Sequence, residues 1–504
     1  MIQKKQLRRG YPLFVGLLLL AVGMSASAQE RSDTLHYKIE AGGGIGKGDY
    51  TPFWLTANKH GFASVHKNYA YLRAATFYAS DASKDFHVEA GLDMAVAYNF
   101  DASYYLQQAY ADLNYRCLQL SIGSKERWSE LNNPLLSSGG LTHSGNARPI
   151  PQVRAGIPEY QPFPGTNKWL KVKGYISYGM FTDDAFQKDF IGGKGKRAEK
   201  VLYHSKEIFF QIGKKERYPF ILDLGLEMAA QFSGRTYVNE KLKLDMMADA
   251  KDFYRVLIAS GAGSDKPQGE QLNVLGNYVG SWNFGLTWYA PNGWTIRPYY
   301  EHFFDDHSQM FWDHQQHFWD YTWKDGLIGL EVKLPKNPFV SNFVYEYLGM
   351  KDQSGAVYWD QTKEIPISVA GNDNYYNHGF LCGWHHAGMG IGNPLIISPL
   401  FNKDKTLTFT GTRTLSHHIG LMGDPHPQWQ YRLLLSTSRS WGTYGNPYDD
   451  IEQYTNGMLE VGYKPSNWGH GWMLKAAVAI DKTDRYGNNI GGLFSITKKG
   501  LLTQ

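Results

Sequence analysis

From Phe86 to Phe100 the chain alternates without a break. Phe86, Val88, Ala90, Leu92, Met94, Val96, Tyr98 and Phe100 are apolar, and His87, Glu89, Asp93 and Asn99 lie between them. Successive side chains of an extended backbone point to opposite faces, so this pattern is one long strand with an apolar and a polar side. It recurs over Phe220–Phe232, Trp282–Trp288 and Trp472–Ile480, and more weakly in at least ten further stretches. Several runs exceed the ~5–6 residues usual for a globular strand. Aromatic residues mark their ends, as Phe86 and Phe100 or Trp282 and Trp288 do, and their polar faces carry charges. An apolar belt flanked by aromatic rings, backed by a polar interior, is the pattern of a membrane barrel. The fold class expected is all-β: a large antiparallel transmembrane β-barrel of 16–18 strands, about 18, the number being even. The ending Lys498-Lys499-Gly500-Leu501-Leu502-Thr503-Gln504, with no strand-final aromatic, is the one feature that runs against this.

The N-terminus reads as a route to such a membrane. Lys4, Lys5, Arg8 and Arg9 precede an apolar run from Leu13 to Val22, and Ala26-Ser27-Ala28 is a small-residue cleavage site. Basic, apolar and small segments in that order form a secretory signal peptide. Residues 1–28 are therefore expected to be a cleaved leader, and 29–504 a single barrel domain in a Gram-negative outer membrane. The apolar run is shorter than the ~20 residues of a spanning helix. No comparable run follows, and a membrane chain without such a helix must close its sheet to satisfy its backbone. The leader's four cations account for the whole formal charge of +4. The remainder is balanced, which excludes the basic excess of a nucleic-acid binder. Cys117 and Cys382 could pair in an oxidising compartment or stay free.

Two stretches break the alternation. Leu242–Ala259 places Leu242, Met246, Met247, Phe253, Val256 and Leu257 nearer a helical period, with Gly261 and Gly263 as stops. Leu131–Lys168 is rich in Pro, Gly, Ser and Asn and reads as strandless; so long a loop is functional or packed. Both are expected to be plug segments, near 242–260 and 131–168. His314 and His317 could share a helix face, but no cysteine or suitably spaced carboxylate accompanies them, and no metal or cofactor is expected. Neighbours such as His385-His386 and His417-His418 would point to opposite faces of a strand. There is no nucleophile elbow, H-E-x-x-H or phosphate loop. Glu301 with Asp305 or Asp306 is the nearest carboxylate pair for glycoside cleavage, and a non-enzymatic protein is the expectation.

Four polar-aromatic blocks stand out: Thr51-Pro52-Phe53-Trp54-Leu55-Thr56-Ala57-Asn58; Ser137-Ser138-Gly139-Gly140 running on to Asn146-Ala147-Arg148-Pro149-Ile150-Pro151 and Pro158-Glu159-Tyr160; Glu301-His302-Phe303-Phe304-Asp305-Asp306; and Asn374-Tyr375-Tyr376-Asn377-His378 leading to Gly383-Trp384 and Gly390-Ile391-Gly392-Asn393-Pro394-Leu395. Aromatic rings can stack on the apolar faces of sugars, and fixed amides and charges can bond their hydroxyls. Candidate polysaccharide contacts are Trp54, Asn58, Arg148 and Glu159 from the first two blocks, and His302, Asp305, Asn377 and Trp384 from the others. The plainer alternative is that the tryptophans pack, and that Arg148 and Glu159 join an ion-pair network fixing loops in the lumen. In order, the blocks resemble the capsule-assembly outer-membrane proteins of the Wzi type over nearly the whole mature chain, with Gln309 standing where that pattern has Gly. The resemblance implies an 18-stranded barrel, a periplasmic helical plug and a lectin-like partner role toward capsular or other surface polysaccharide, in a monomer set in outer-membrane lipid. The alternatives are a porin-like channel for oligosaccharides and a barrel hydrolase.

Overall fold

The computed structural model describes residues 33–306, 310, 324–335, 337–353, 357–358, 369–370 and 373–502. The proposed leader, His307, Gln309, His314 and His317 lie outside the described residues. Eighteen strands form one closed sheet. In chain order they are β1 (Thr34–Lys47), β2 (Tyr69–Ala79), β3 (Phe86–Tyr98), β4 (Tyr104–Tyr115), β5 (Leu118–Ser124) and β6 (Gln152–Pro162). Next come β7 (Leu170–Met180), β8 (Leu202–Ile212), β9 (Phe220–Phe232), β10 (Asn277–Tyr289), β11 (Thr295–Asp305) and β12 (Gly326–Lys333). The set ends with β13 (Asn342–Gly349), β14 (Thr414–His426), β15 (Trp429–Gly442), β16 (Pro447–Tyr463), β17 (Trp472–Thr483) and β18 (Asn489–Leu501).

Each strand pairs antiparallel with its sequence neighbours. β18 closes on β1 with Glu40 opposite Thr497 and His36 opposite Leu501, so the unusual C-terminal sequence still ends in a wall strand. Closure leaves no unpaired edge, the condition for a sheet in lipid. Among the described residues no helix is long and apolar enough to cross a membrane.

The alternation resolves into two faces. In β9, Asp223, Glu227 and Gln231 point into the lumen, while Phe220, Leu222, Leu224 and Leu226 point out. Outward-facing Ile39, Val478, Ile480 and Phe494 are exposed, and Phe86, Tyr115, Tyr218, Trp429 and Trp468 ring one end. At that end the strands are joined by short turns, from 116–117 to 334–341. The other end carries the long connections 48–68, 125–151, 181–201, 233–276, 306–325 and 350–413. Short turns face the periplasm and long loops the exterior in barrels of this kind.

Among the described residues, the connections 48–68, 125–151 and 350–413 fold back into the lumen. Their apolar side chains, including Phe53, Trp54, Leu136, Leu141, Tyr376, Trp384 and Phe409, form one buried core with inward-facing wall residues such as Phe303 and Val344. Among the described residues the α-helices are short: α1 (Phe53–Thr56) within this plug, α2 (Asp184–Ile191) in the connection after β7, and α3 (Ala250–Leu257) and α4 (Gln268–Leu272) after β9.

Two sequence expectations are corrected here. The stretch read as strandless over 131–168 contains β6; Pro158 and Pro162 disguise it, and a bulge between Ile157 and Gln161 breaks its alternation. The helix expected over Leu242–Ala259 is α3 alone, because Lys241–Asp245 is a strand. It also does not plug the lumen. α3 packs on the outer wall, where Val256 joins a cluster with the outward-facing Met228, Phe232, Tyr278 and Phe304. Among the described residues the plug is therefore made of loops entering from the long-loop end, in place of the periplasmic helical plug that the resemblance implies.

Candidate functional site: a loop plug and the two cavities beside it

The polar inner face of the barrel holds the plug. A loop folded into a lumen carries backbone groups that need partners, and the wall supplies them. Asp481 Oδ2 accepts the Phe53 amide at 3.0 Å, and Glu301 Oε1 accepts the Leu141 amide at 2.8 Å. Asp305 Oδ2 accepts the Tyr376 amide at 3.1 Å. Glu346 accepts the Ser138 amide at 2.7 Å and the Ser137, Ser138 and Tyr299 hydroxyls. Arg297 donates to the Leu131 carbonyl at 2.6 Å, and His418 contacts the Leu136 carbonyl at 2.8 Å.

The loops also lock to one another, through the unusual sequence blocks. Asn58, held at a positive φ of 54°, donates its side-chain amide to the Ser138 carbonyl at 2.9 Å. Asn146 donates to Gly390 at 2.9 Å, Trp384 Nε1 to Thr142 at 2.9 Å, and Asn393 to Ser138 Oγ at 3.0 Å. Gly392 packs so tightly that a Cβ there would lie 2.3 Å from the Leu141 carbonyl and the Tyr376 hydroxyl. Burial pushes the Tyr376 hydroxyl well above its ordinary value, so it stays a neutral donor to Leu141.

The eight candidate contacts separate accordingly. Trp54, Asn58, Asn377 and Trp384 belong to the plug, and Asp305 is a wall residue that holds it; Trp54 packs on the His418 ring at 5.0 Å, and Asn377 clamps Phe409 through both its amide groups. His302 is on the outward side of β11, buried, with Nδ1 3.1 Å from the Asp325 carbonyl. It lies one residue from the inward Glu301, so alternation turns it away from the lumen. Glu159 is exposed on β6 at the edge of a cavity. Arg148 borders two cavities. The adjacent histidines separate in the same way. His417 faces out to the Tyr345 hydroxyl at 2.9 Å, while His418 faces in. His386 bonds Thr182 and the Arg148 carbonyl. Among the described residues no three His, Cys, Asp or Glu side chains are grouped to hold a metal ion.

The larger cavity, about 600 Å³, lies between the plug and the β3–β8 wall; Cys117 and Glu159 line it toward the short-turn end, and Arg127, Arg154, His143 and Tyr203 higher up. Arg154 pairs with Glu207 at 3.5 Å and sits over the Tyr175 ring at 3.2 Å. Arg127 bonds Ser121 Oγ at 2.8 Å; burial, and then the Arg154 charge, push it down to about 10.

The smaller cavity, about 470 Å³, is at the long-loop end. Phe186 and Phe190 of α2 stack 5.4 Å apart on its side, with Phe100, Asp101, Asp183, Asp189 and His66 around it. Asp101 and His66 pair at 3.3 Å, which raises the imidazole pKa. At its base the Arg148 guanidinium lies 4.8 Å over the Tyr105 ring, and burial lowers its pKa. Gly61 closes on Arg148 from the other side: a Cβ there would be 2.4 Å from Arg148 Cγ. Sequence reasoning missed Phe186 and Phe190. Their i, i+4 spacing in Asp184-Ala185-Phe186-Gln187-Lys188-Asp189-Phe190 was the available signal.

Fold and site together define a class: a closed 18-stranded β-barrel of outer-membrane type, its lumen filled by its own loops. No protein-family model matches the chain, and no curated protein sequence matches it. Among solved structures it is similar to Wzi of Escherichia coli, an outer-membrane protein involved in group 1 capsule assembly and described as a carbohydrate-binding β-barrel. That similarity has a TM-score of 0.55 at 12% identity, over 91% of this chain and 83% of that one. OccAB4 of Acinetobacter baumannii aligns at a TM-score of 0.47 and 12% identity, over 94% of this chain and 99% of that one. OprD of Pseudomonas aeruginosa gives 0.45 and 9%, over 95% and 98%. At these identities the likeness is one of fold alone.

Proposed function

We propose that the protein is a non-enzymatic outer-membrane barrel that binds capsular or other surface polysaccharide at its long-loop end and helps assemble or retain it there. The leader read at residues 1–28 supplies the export route in this reading. One observation carries it: the lumen is occupied by interlocked loops, while the cavity at the long-loop end sets stacked aromatics beside carboxylates. Rings supply a face for sugar C–H groups, and Asp101, Asp183 and Asp189 supply acceptors for hydroxyls. The E. coli barrel described as carbohydrate-binding supports the same reading.

Deleting the gene is expected to release polymer into the medium while synthesis continues. Replacing Phe186 and Phe190 together by Ala is expected to weaken binding of purified capsular polysaccharide about tenfold, from ~0.5–1.5 kcal/mol per lost ring contact. Unchanged cell-bound capsule in the deletion strain overturns the reading. A second reading, an oligosaccharide channel, has one observation in its favour: Arg148 borders both cavities. Steady single-channel conductance in a planar bilayer would establish that reading, and a closed barrel the first.

A further inference from the structure

Part of the long connection between β9 and β10 lies outside the lumen. Residues 247–275 fold down over the outer wall, and Val256, Ala259, Val274 and Leu275 cover the outward-facing Met228, Ala230, Phe232, Tyr278 and Phe304. The cover reaches four residues down β9 from Phe232 to Met228, or ~10 Å below the rim for a tilted strand rising ~3.4 Å per residue. Three wall side chains grip the helix by its last carbonyls. The Tyr178 hydroxyl donates to Phe253 at 2.8 Å, the Tyr278 hydroxyl to Val256 at 3.2 Å, and the Lys206 ammonium to Leu257. All three point outward from the barrel. Lys206 would be a bare cation on a lipid-facing surface without α3; with it, the ammonium meets the negative end of the helix. The N-terminus is closed by a capping box between Asp249 and Asp252.

The far side of this flap is apolar. Tyr254 is 63% exposed and Ile258 51%, against 60% and 58% for the outward wall residues Val478 and Ile480. Met247 and Phe253 are exposed beside them, and Lys251 is the exposed cation on the helix. Below Tyr178 and Lys206 on their strands, Ile176 and Ile208 also face out and are exposed, so the flap adjoins the apolar belt at its outer margin.

We propose that α3 and its flanks form an interfacial anchor seated in the outer leaflet, with Tyr254 and Ile258 in the acyl-chain boundary and Lys251 among anionic lipid headgroups. Amphipathic helices that ride ~5–10 Å into this boundary combine such residues. The proposal rests on the membrane-barrel reading and can fail separately from it.

A nitroxide placed at Tyr254→Cys or Ile258→Cys, in a Cys117→Ser background reconstituted in lipid vesicles, tests it. Cys382 is buried and its thiol is pushed up to about 12, so it stays unlabelled. Val478→Cys on the belt and Gly445→Cys in an exposed loop are the references. Both helix labels are expected to relax with oxygen, as at Val478, and to be shielded from a water-soluble nickel chelate that reaches Gly445. If either helix label is as open to nickel as Gly445 while Val478 is shielded, the anchor is wrong. If Val478 is also open to nickel, the membrane reading beneath it fails.

Discussion

Glu346 is the wall residue on which the plug depends most. It is fully buried in β13 and accepts four bonds: the Ser138 amide at 2.7 Å, the Ser138 hydroxyl at 2.5 Å, and the Ser137 and Tyr299 hydroxyls. Glu346→Ala removes the acceptor for all four. The two serine hydroxyls can rotate to other acceptors, but the Ser138 amide and the Tyr299 hydroxyl are fixed by their surroundings. Two buried donors left unpaired, at ~1–3 kcal/mol each, destabilise the docked loop by about 4 kcal/mol. Because the barrel closes through its backbone ladder, the loss should appear as local opening rather than unfolding. At ~1.4 kcal/mol per factor of ten, amide exchange across residues 136–142 should accelerate by nearly 10³. The assay is hydrogen exchange by mass spectrometry in lipid nanodiscs, with β16 amides as internal reference. Glu346→Gln keeps an acceptor oxygen and should lose far less. Acceleration below tenfold would show that neighbouring contacts hold the loop unaided. Equal acceleration in β16 would mean that Glu346 supports the wall instead, and either result refutes the reasoning.

Burial, and then the Arg432 charge, lower the Lys59 pKa from 10.5 to about 8. Between those values the folded loop binds fewer protons than the unfolded one, so docking of 48–68 should tighten as pH rises from about 8 to 10.5 and lose its penalty at the top of that window. Limited proteolysis of this loop against pH checks the sign, and Lys59→Met should flatten the profile. Trp384→Ala removes a fully buried ring and its bond to Thr142, a loss of ~3–5 kcal/mol for a core tryptophan. It should give intermittent conductance in a planar bilayer where the parent is closed. Cys117 and Cys382 are both free, the first exposed and the second buried. Maleimide should therefore label one thiol in the folded protein and two after denaturation; protection of both would reveal a bridge.

The barrel was largely legible because alternation records a physical requirement, one face for lipid and one for the lumen. Phe86–Tyr98 and Phe220–Phe232 could be assigned residue by residue, whereas Phe100 lies beyond its strand and lines the smaller cavity. The same rule already turned His302 away from Asp305, three residues on, so grouping the two as joint contacts overrode the strand's own period. β6 was hidden because Pro158 and Pro162 look like loop punctuation, and a bulge shifts its parity halfway along. α3 was visible as a helical period, but period alone gives no partner. Its position on the outer wall depends on Tyr178, Lys206 and Tyr278, contributed by three other strands.

The plug was legible in composition and illegible in role. The blocks read as glycan contacts because asparagines, glycines and aromatics in loops suit sugars, and the same residues suit a loop that must satisfy its backbone inside a polar lumen. Geometry separates the two uses. Asn58, Asn146, Asn377 and Asn393 spend their amides on loop carbonyls or hydroxyls, and Gly392 permits a backbone approach closer than any side chain would allow. Four blocks far apart in sequence occur together because they are one another's contacts or share the same wall. What they leave over is informative: Arg148 lies within the second block but points its guanidinium at Tyr105 between two cavities, and the stacked rings of α2 lie outside every block. A binding face that must suit one particular polymer belongs on such residues, which can change without disturbing the scaffold that positions them.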